Sequence, residues 1–146
     1  MSNETGRNAY RWGAAVAIGA AALQVWMNLA VGIVGSEDNP VNQGFYGVVV
    51  AAAACAFTGR FEAAGMARAM LATASVQALL AAVIATAPST VRDDPKGPLG
   101  VLVLSGIFVA LWLGSAALFH KSARQGGAMG TVSPEPVGAG SQPKSR

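Results

Sequence analysis

The sequence predicts an all-α integral membrane protein, a four-helix bundle with both termini cytoplasmic. Three observations carry that prediction. The 146 residues are 53% hydrophobic and only 12% charged, about half the charge of a typical soluble domain. The charge is also unevenly placed. Trp12–Gly35, Gly44–Gly59, Ala69–Ala87 and Leu99–Phe119 carry none, in windows of 24, 16, 19 and 21 residues. A helix needs roughly 20 apolar residues to cross a hydrocarbon core of about 30 Å, and a soluble bundle would show a polar stripe along each helix. The third observation is an asymmetry of basic residues between alternate connections.

Each element follows in order. Residues 1–10 are polar and read as a flexible N-terminus. Tyr10, Arg11 and Trp12 make an aromatic and basic anchor suited to a membrane interface. Helix 1 then covers about 12–35, with Gly35 able to close it in the left-handed conformation glycine tolerates. A signal peptide would have an apolar core of about 7–15 residues; this window is longer and flows into another apolar segment, so an uncleaved helix is expected. Helix 2 covers 40–59: Asn39 is a good N-cap, and proline, here Pro40, is favoured at the first helical position. Val41, Asn42 and Gln43 would then lie among headgroups, with Phe45 and Tyr46 at the outer boundary. Gly59 to Gly65 form a short connection. Helix 3 covers about 66–87, with Arg68 in its first turn reaching back to the surface. Ser89 to Pro98 form a polar loop, and Pro98 opens helix 4, which runs to 119. The four helices make one transmembrane domain over 11–121. The tail, 122–146, is rich in Gly, Ser and Pro and reads as disordered.

Four crossings place both termini on one side. On that side lie Arg7, Arg11, Arg60, Arg68, Lys121, Arg124, Lys144 and Arg146; on the other lie only Arg92 and Lys96. Basic residues favour the cytoplasmic side. The expected location is thus the cell inner (plasma) membrane, multi-pass, with N- and C-termini cytoplasmic.

Polar residues inside the windows are the first place to look for function. They are uncharged. Gln24 and Asn28 are four apart and share a face of helix 1; Gln77 lies mid-helix 3 and Ser105 on helix 4. The expectation is a polar layer, structural or binding, in which Gln24 faces Gln77, with Asn28 and Ser105 one turn outward. Interhelical hydrogen bonding is its ordinary purpose, at about 0.6 kcal/mol per bond; holding a small solute, quinone or lipid is the alternative. Small residues recur at four-residue spacing at Gly13 and Ala17, at Gly47 and Ala51, and at Gly106, Ala110 and Gly114. That spacing permits close helix approach, within the bundle or between copies.

The turn Ser36-Glu37-Asp38-Asn39-Pro40 is the remaining polar knot. A calcium hand needs a glycine at its sixth position and a glutamate at its twelfth, which this knot lacks. It reads as a helical hairpin bend, with Glu37, Asp38 and Asn39 as an outer-surface turn. Glu37 and Asp38 also sit near the positive end of helix 2. No metal site is expected.

Several function classes fall away. Four-helix multidrug transporters need a membrane-embedded carboxylate, and the windows hold none. Disulfide-forming quinone reductases need paired cysteines, whereas Cys55 is alone and reads as a packing residue. Haem held by two histidines needs two, and His120 is the only one. No nucleophile with a base is evident, so no enzyme activity, catalytic residue or cofactor is expected. The basic residues flank apolar windows and form no stripe of the kind that binds nucleic acid.

The runs VWMNLAVGIVGSEDNPVNQ (Val25–Gln43) and GRFEAAGMARAMLATASVQAL (Gly59–Leu79) resemble a group of short, functionally uncharacterised bacterial inner-membrane proteins with four helices. The resemblance covers about Tyr10 to Phe119. It implies the class and carries no site. The expected partners are the lipid bilayer and either a second copy or a larger membrane complex. The expected function is an accessory or scaffold component; the alternative is a passive carrier or channel for a small neutral solute through the polar layer.

Overall fold

The computed structural model describes residues 2–34, 38–88, 90 and 97–127. The regular elements among those residues are all helices, with no strand. The described residues form four long helices, α1 (Ser2–Ala30), α2 (Gln43–Thr58), α3 (Ala63–Ala85) and α4 (Gly97–Gly127), and a 3-10 turn, Pro40–Asn42, leads into α2. Glu4–Ala30, Pro40–Thr58, Ala63–Ala85 and Gly97–Gly127 are each long and apolar enough to cross a membrane, the second with its 3-10 turn included.

Round the bundle the order is α1, α4, α3, α2. The α3–α4 and α1–α4 seams are the most extensive and the α1–α2 seam the slightest. Every neighbouring pair is antiparallel. Cross-bundle bonds fix the register of α1 on α4: Ser115 Oγ donates to Gly13 O at 2.8 Å, and Ser122 Oγ donates to Gly6 O at 2.9 Å. Gly13 is small because the Phe119 ring lies against it, with a Cβ there meeting Phe119 Cγ at 3.2 Å. Tyr10 closes over the same ring edge-on, with centroids 5.0 Å apart. That geometry suits the aromatic quadrupoles.

The α2–α3 connection is tighter still. Gly59 and Gly65 pass backbone to backbone, and a Cβ on Gly65 would collide with Gly59 O. Between them Arg60 and Phe61 both take the left-handed conformation, at φ 55° and 56°. Non-glycine residues pay about 1–3 kcal/mol each for this. Phe61 N–H donates to Ala56 O at 3.2 Å, and Phe61 O accepts from Tyr10 Oη at 2.6 Å, holding the turn in place.

The helix limits differ from those expected. α1 starts at Ser2, ten residues before Trp12, and α4 continues to Gly127. The two extensions lie side by side, joined by the Ser122–Gly6 bond, so each supports residues that seemed loose taken singly. Residues 128–146 of the expected disordered tail lie outside the described residues. α1 ends at Ala30 rather than near Val34. The N–H groups of Val31 and Gly32 both return to Met27 O at 3.0 Å, and Gly32 is the left-handed residue, at φ 72°; Gly35 lies outside the described residues. The physical reason is that Ile33 and Val34 spend their N–H groups on Asn42 instead of on the helix. α3 begins at Ala63, with Met66 N–H closing on Glu62 O at 2.7 Å.

Large apolar side chains face outward along every helix: Ile18, Trp26, Val50, Phe57, Leu79, Val83 and Leu99 are each at least 61% exposed. Inside are small residues, a few large apolar ones and several uncharged polar ones. Phe45 and Trp112 are fully buried. Cys55 is half-buried and unpaired.

Two glycine substitutions separate close approach from mere helix propensity. Gly65→Ala should destabilise the fold by about 2 kcal/mol or more, because backbone must move to admit the methyl group. Gly47→Ala meets open space and should be neutral or stabilising by up to about 1 kcal/mol. Denaturant titration in detergent micelles, read by circular dichroism, measures both.

Candidate functional site

All four residues of the expected polar layer are buried: Gln24 and Gln77 completely, Ser105 and Asn28 all but completely. Counting along the helices shows how they are stacked. From the Ser115–Gly13 bond, Gln24 is 11 residues along α1 and Ser105 is 10 residues back along α4. At 1.5 Å per residue the two stand within about 2 Å of the same height. Tyr10 is bonded to Phe61 just before α3. Gln24 lies 14 residues beyond Tyr10, and Gln77 lies 14 residues beyond Ala63. Three helices therefore bring Gln24, Gln77 and Ser105 to one level. Asn28 is one turn further along α1. Ser105 lies level with Gln24 rather than one turn outward as expected.

The hydrogen bonds run elsewhere than sequence reading supposed. Gln24 Nε2 donates to Phe45 O at 2.8 Å, and Asn28 Nδ2 donates to Asn42 O at 3.3 Å. Both side chains thus tie α1 to the beginning of α2, where carbonyls have a second lone pair to offer. No hydrogen bond joins Gln24 to Gln77. Gln77 Oε1 and Nε2, Ser105 Oγ, Gln24 Oε1, Asn28 Oδ1 and Trp112 Nε1 have no hydrogen-bond partner. Thr73 and Ser115 are satisfied, by Ala69 O at 2.9 Å and Gly13 O at 2.8 Å.

Each buried polar group left unmatched costs about 1–3 kcal/mol. The unmatched set contains donors (Gln77 Nε2, Trp112 Nε1), acceptors (Gln24 Oε1, Asn28 Oδ1, Gln77 Oε1) and a hydroxyl that is both. No charged side chain is buried with them. Such a set suits water or another small neutral molecule that both donates and accepts.

Asn42 is the residue that sequence reading missed. Sequence puts it at the depth of the headgroups, and the structure buries its side chain within the protein. Its Oδ1 accepts from Ile33 N at 3.0 Å and Val34 N at 2.9 Å, and its Nδ2 donates to Val34 O at 3.3 Å. The available signal was an amide just after Asn39-Pro40, facing a stretch of chain leaving a helix. Asn39 caps the turn, its Oδ1 accepting from Val41 N at 3.0 Å, with Pro40 following. Asp38 is exposed, and Glu37 lies outside the described residues. Among the described residues no three of His, Cys, Asp and Glu come together.

Compared with protein-family models, with curated proteins and with solved structures, the chain shows no match.

The buried amides should respond oppositely to removal. Asn42→Leu strands the N–H groups of Ile33 and Val34 and should cost about 3 kcal/mol. Gln77→Leu removes an unmatched amide of similar size and should leave stability unchanged or raise it. Thermal unfolding of the two variants in one detergent measures the contrast; equal losses would contradict it.

Proposed function

We propose that the chain is a multi-pass protein of a bacterial inner membrane, with both termini cytoplasmic, acting as a non-enzymatic accessory or scaffold component. It packs against a second copy or a larger membrane complex. The outward apolar side chains and the crowding of basic residues at one end support the placement. One observation carries the scaffold reading. The Gly106–Ala110–Gly114 face of α4 points away from the bundle, and a Cβ at Gly106 or Gly114 would meet nothing. By contrast Gly13 is used within the bundle, against Phe119. In lipid, helices gain nothing from hiding apolar surface and associate through close packing over small residues. Leu102, Val103, Ile107 and Leu113 flank this stripe and are also exposed.

A second reading is favoured by the unmatched polar groups of Gln24, Gln77 and Ser105 at one level. It is passive movement of a small neutral solute through the bundle. It requires flux into liposomes that is lost in the Gln24→Leu, Gln77→Leu double variant.

Energy transfer between labelled copies in liposomes tests the scaffold reading for self-association. The wild type should associate, and Gly106→Leu with Gly114→Leu should weaken association about tenfold, a loss of about 1.4 kcal/mol. Association that is unchanged in the double variant would place the contact elsewhere. A wild type that stays monomeric at high density, and purifies with no membrane partner, would overturn the reading.

A further inference from the structure

Arg68 stands five residues into α3, about 7.5 Å past its first residue. Met66, Ala67, Ala69 and Met70 surround it in sequence. No carboxylate among the described residues pairs with it: Glu4 is beside Arg7 at 4.0 Å, and Glu62 is beside Arg60 at 3.9 Å. Two grooves meet at its side chain. One, of about 540 Å³, runs between α3 and α4 over Ala67, Leu71, Leu113 and Ala117, with His120 on its far wall. The other, of about 280 Å³, lies between α2 and α3 beside Thr58 and Gly65. Lys121 and Arg124 follow on α4 at the same end of the bundle.

We infer that Arg68 and His120 form a binding site for an anionic phospholipid, its phosphate held by Arg68 and His120 and an acyl chain lying in the α3–α4 groove. The inference rests on the membrane placement proposed above. Charge complementarity selects the occupant. Arginine presents a planar fork of donors matched to phosphate, and basic pockets between membrane helices on the cytoplasmic side bind anionic headgroups. The wall beyond it is apolar, made of alanine and leucine side chains, which suits a hydrocarbon chain. A second copy of this chain is a poorer fit, because Glu4 and Glu62 at this end already have arginines beside them.

The test is native mass spectrometry of the full chain in detergent with added phosphatidylglycerol or phosphatidylcholine. Carbonate extraction of the membranes from which the chain is purified checks insertion separately, so failure of the membrane placement is distinguishable from failure of the site. Wild type should retain phosphatidylglycerol in preference to phosphatidylcholine. Arg68→Gln should weaken that retention about fivefold, and Ala117→Phe, which fills the groove without touching charge, should weaken it comparably. Arg60→Gln removes equal charge at the same end and should leave it unchanged. Circular dichroism confirms that each variant is folded, and Ala117→Phe keeps the test decisive if Arg68→Gln is not. Equal retention of the two lipids, equal loss in Arg68→Gln and Arg60→Gln, or full displacement by inorganic phosphate alone would overturn the inference.

Discussion

The carboxamide of Asn42 takes the N–H groups of Ile33 and Val34 and returns a hydrogen bond to Val34 O. Much of the α1–α2 half of the bundle depends on this clamp. Backbone leaving a helix has polar groups that need partners when buried. Here one side chain supplies them, which lets α1 stop at Ala30 and the chain turn back within the protein. Asn28 and Gln24 then bind the carbonyls of Asn42 and Phe45. The α1–α2 seam has the least packing of the four, so these directed bonds set its register where apolar contact is slight. The α1–α4 seam is held differently, by Ser115 and Ser122 on carbonyls of α1 and by Phe119 against Gly13.

The distribution of side chains follows one constraint. Where the surroundings are apolar, polar groups go inward and large apolar ones outward. Gln24, Gln77 and Ser105 are buried at one level, while Trp26, Leu79 and Val83 stand outside. Trp112, Phe45 and Phe119 depart from this constraint, filling the interior among small side chains. A bundle built this way stores its specificity in a few amide and hydroxyl groups and presents a packing surface of glycine and alanine.

The number of helices was legible because charge-free length is a one-dimensional property of the chain. So were the Asn39 cap and the Pro40 start, which depend only on neighbours in sequence. The inward direction of Gln24, Asn28, Gln77 and Ser105 followed from the cost of exposing amides and hydroxyls to an apolar medium. What could not be read was pairing. Gln24 had a glutamine opposite at matching depth, yet it binds a backbone carbonyl of α2, because the order of helices round the bundle is not written in any single helix. The extensions of α1 to Ser2 and α4 to Gly127 were hidden for the same reason: each is stabilised by the other. Asn42 was misplaced because a polar residue near a window's edge looks solvated until the chain opposite it is known.

The central claim is that four helices cross a membrane with the Asp38 turn on the opposite side from the α2–α3 connection and the end of α4. Single cysteines introduced at Asp38, Arg60 and Ser122 in a Cys55→Ser chain, probed with an impermeant maleimide on intact cells, measure it directly. The account predicts that position 38 is labelled from outside, and that positions 60 and 122 are labelled only after the membrane is opened. Labelling of positions 38 and 60 from the same side would contradict it.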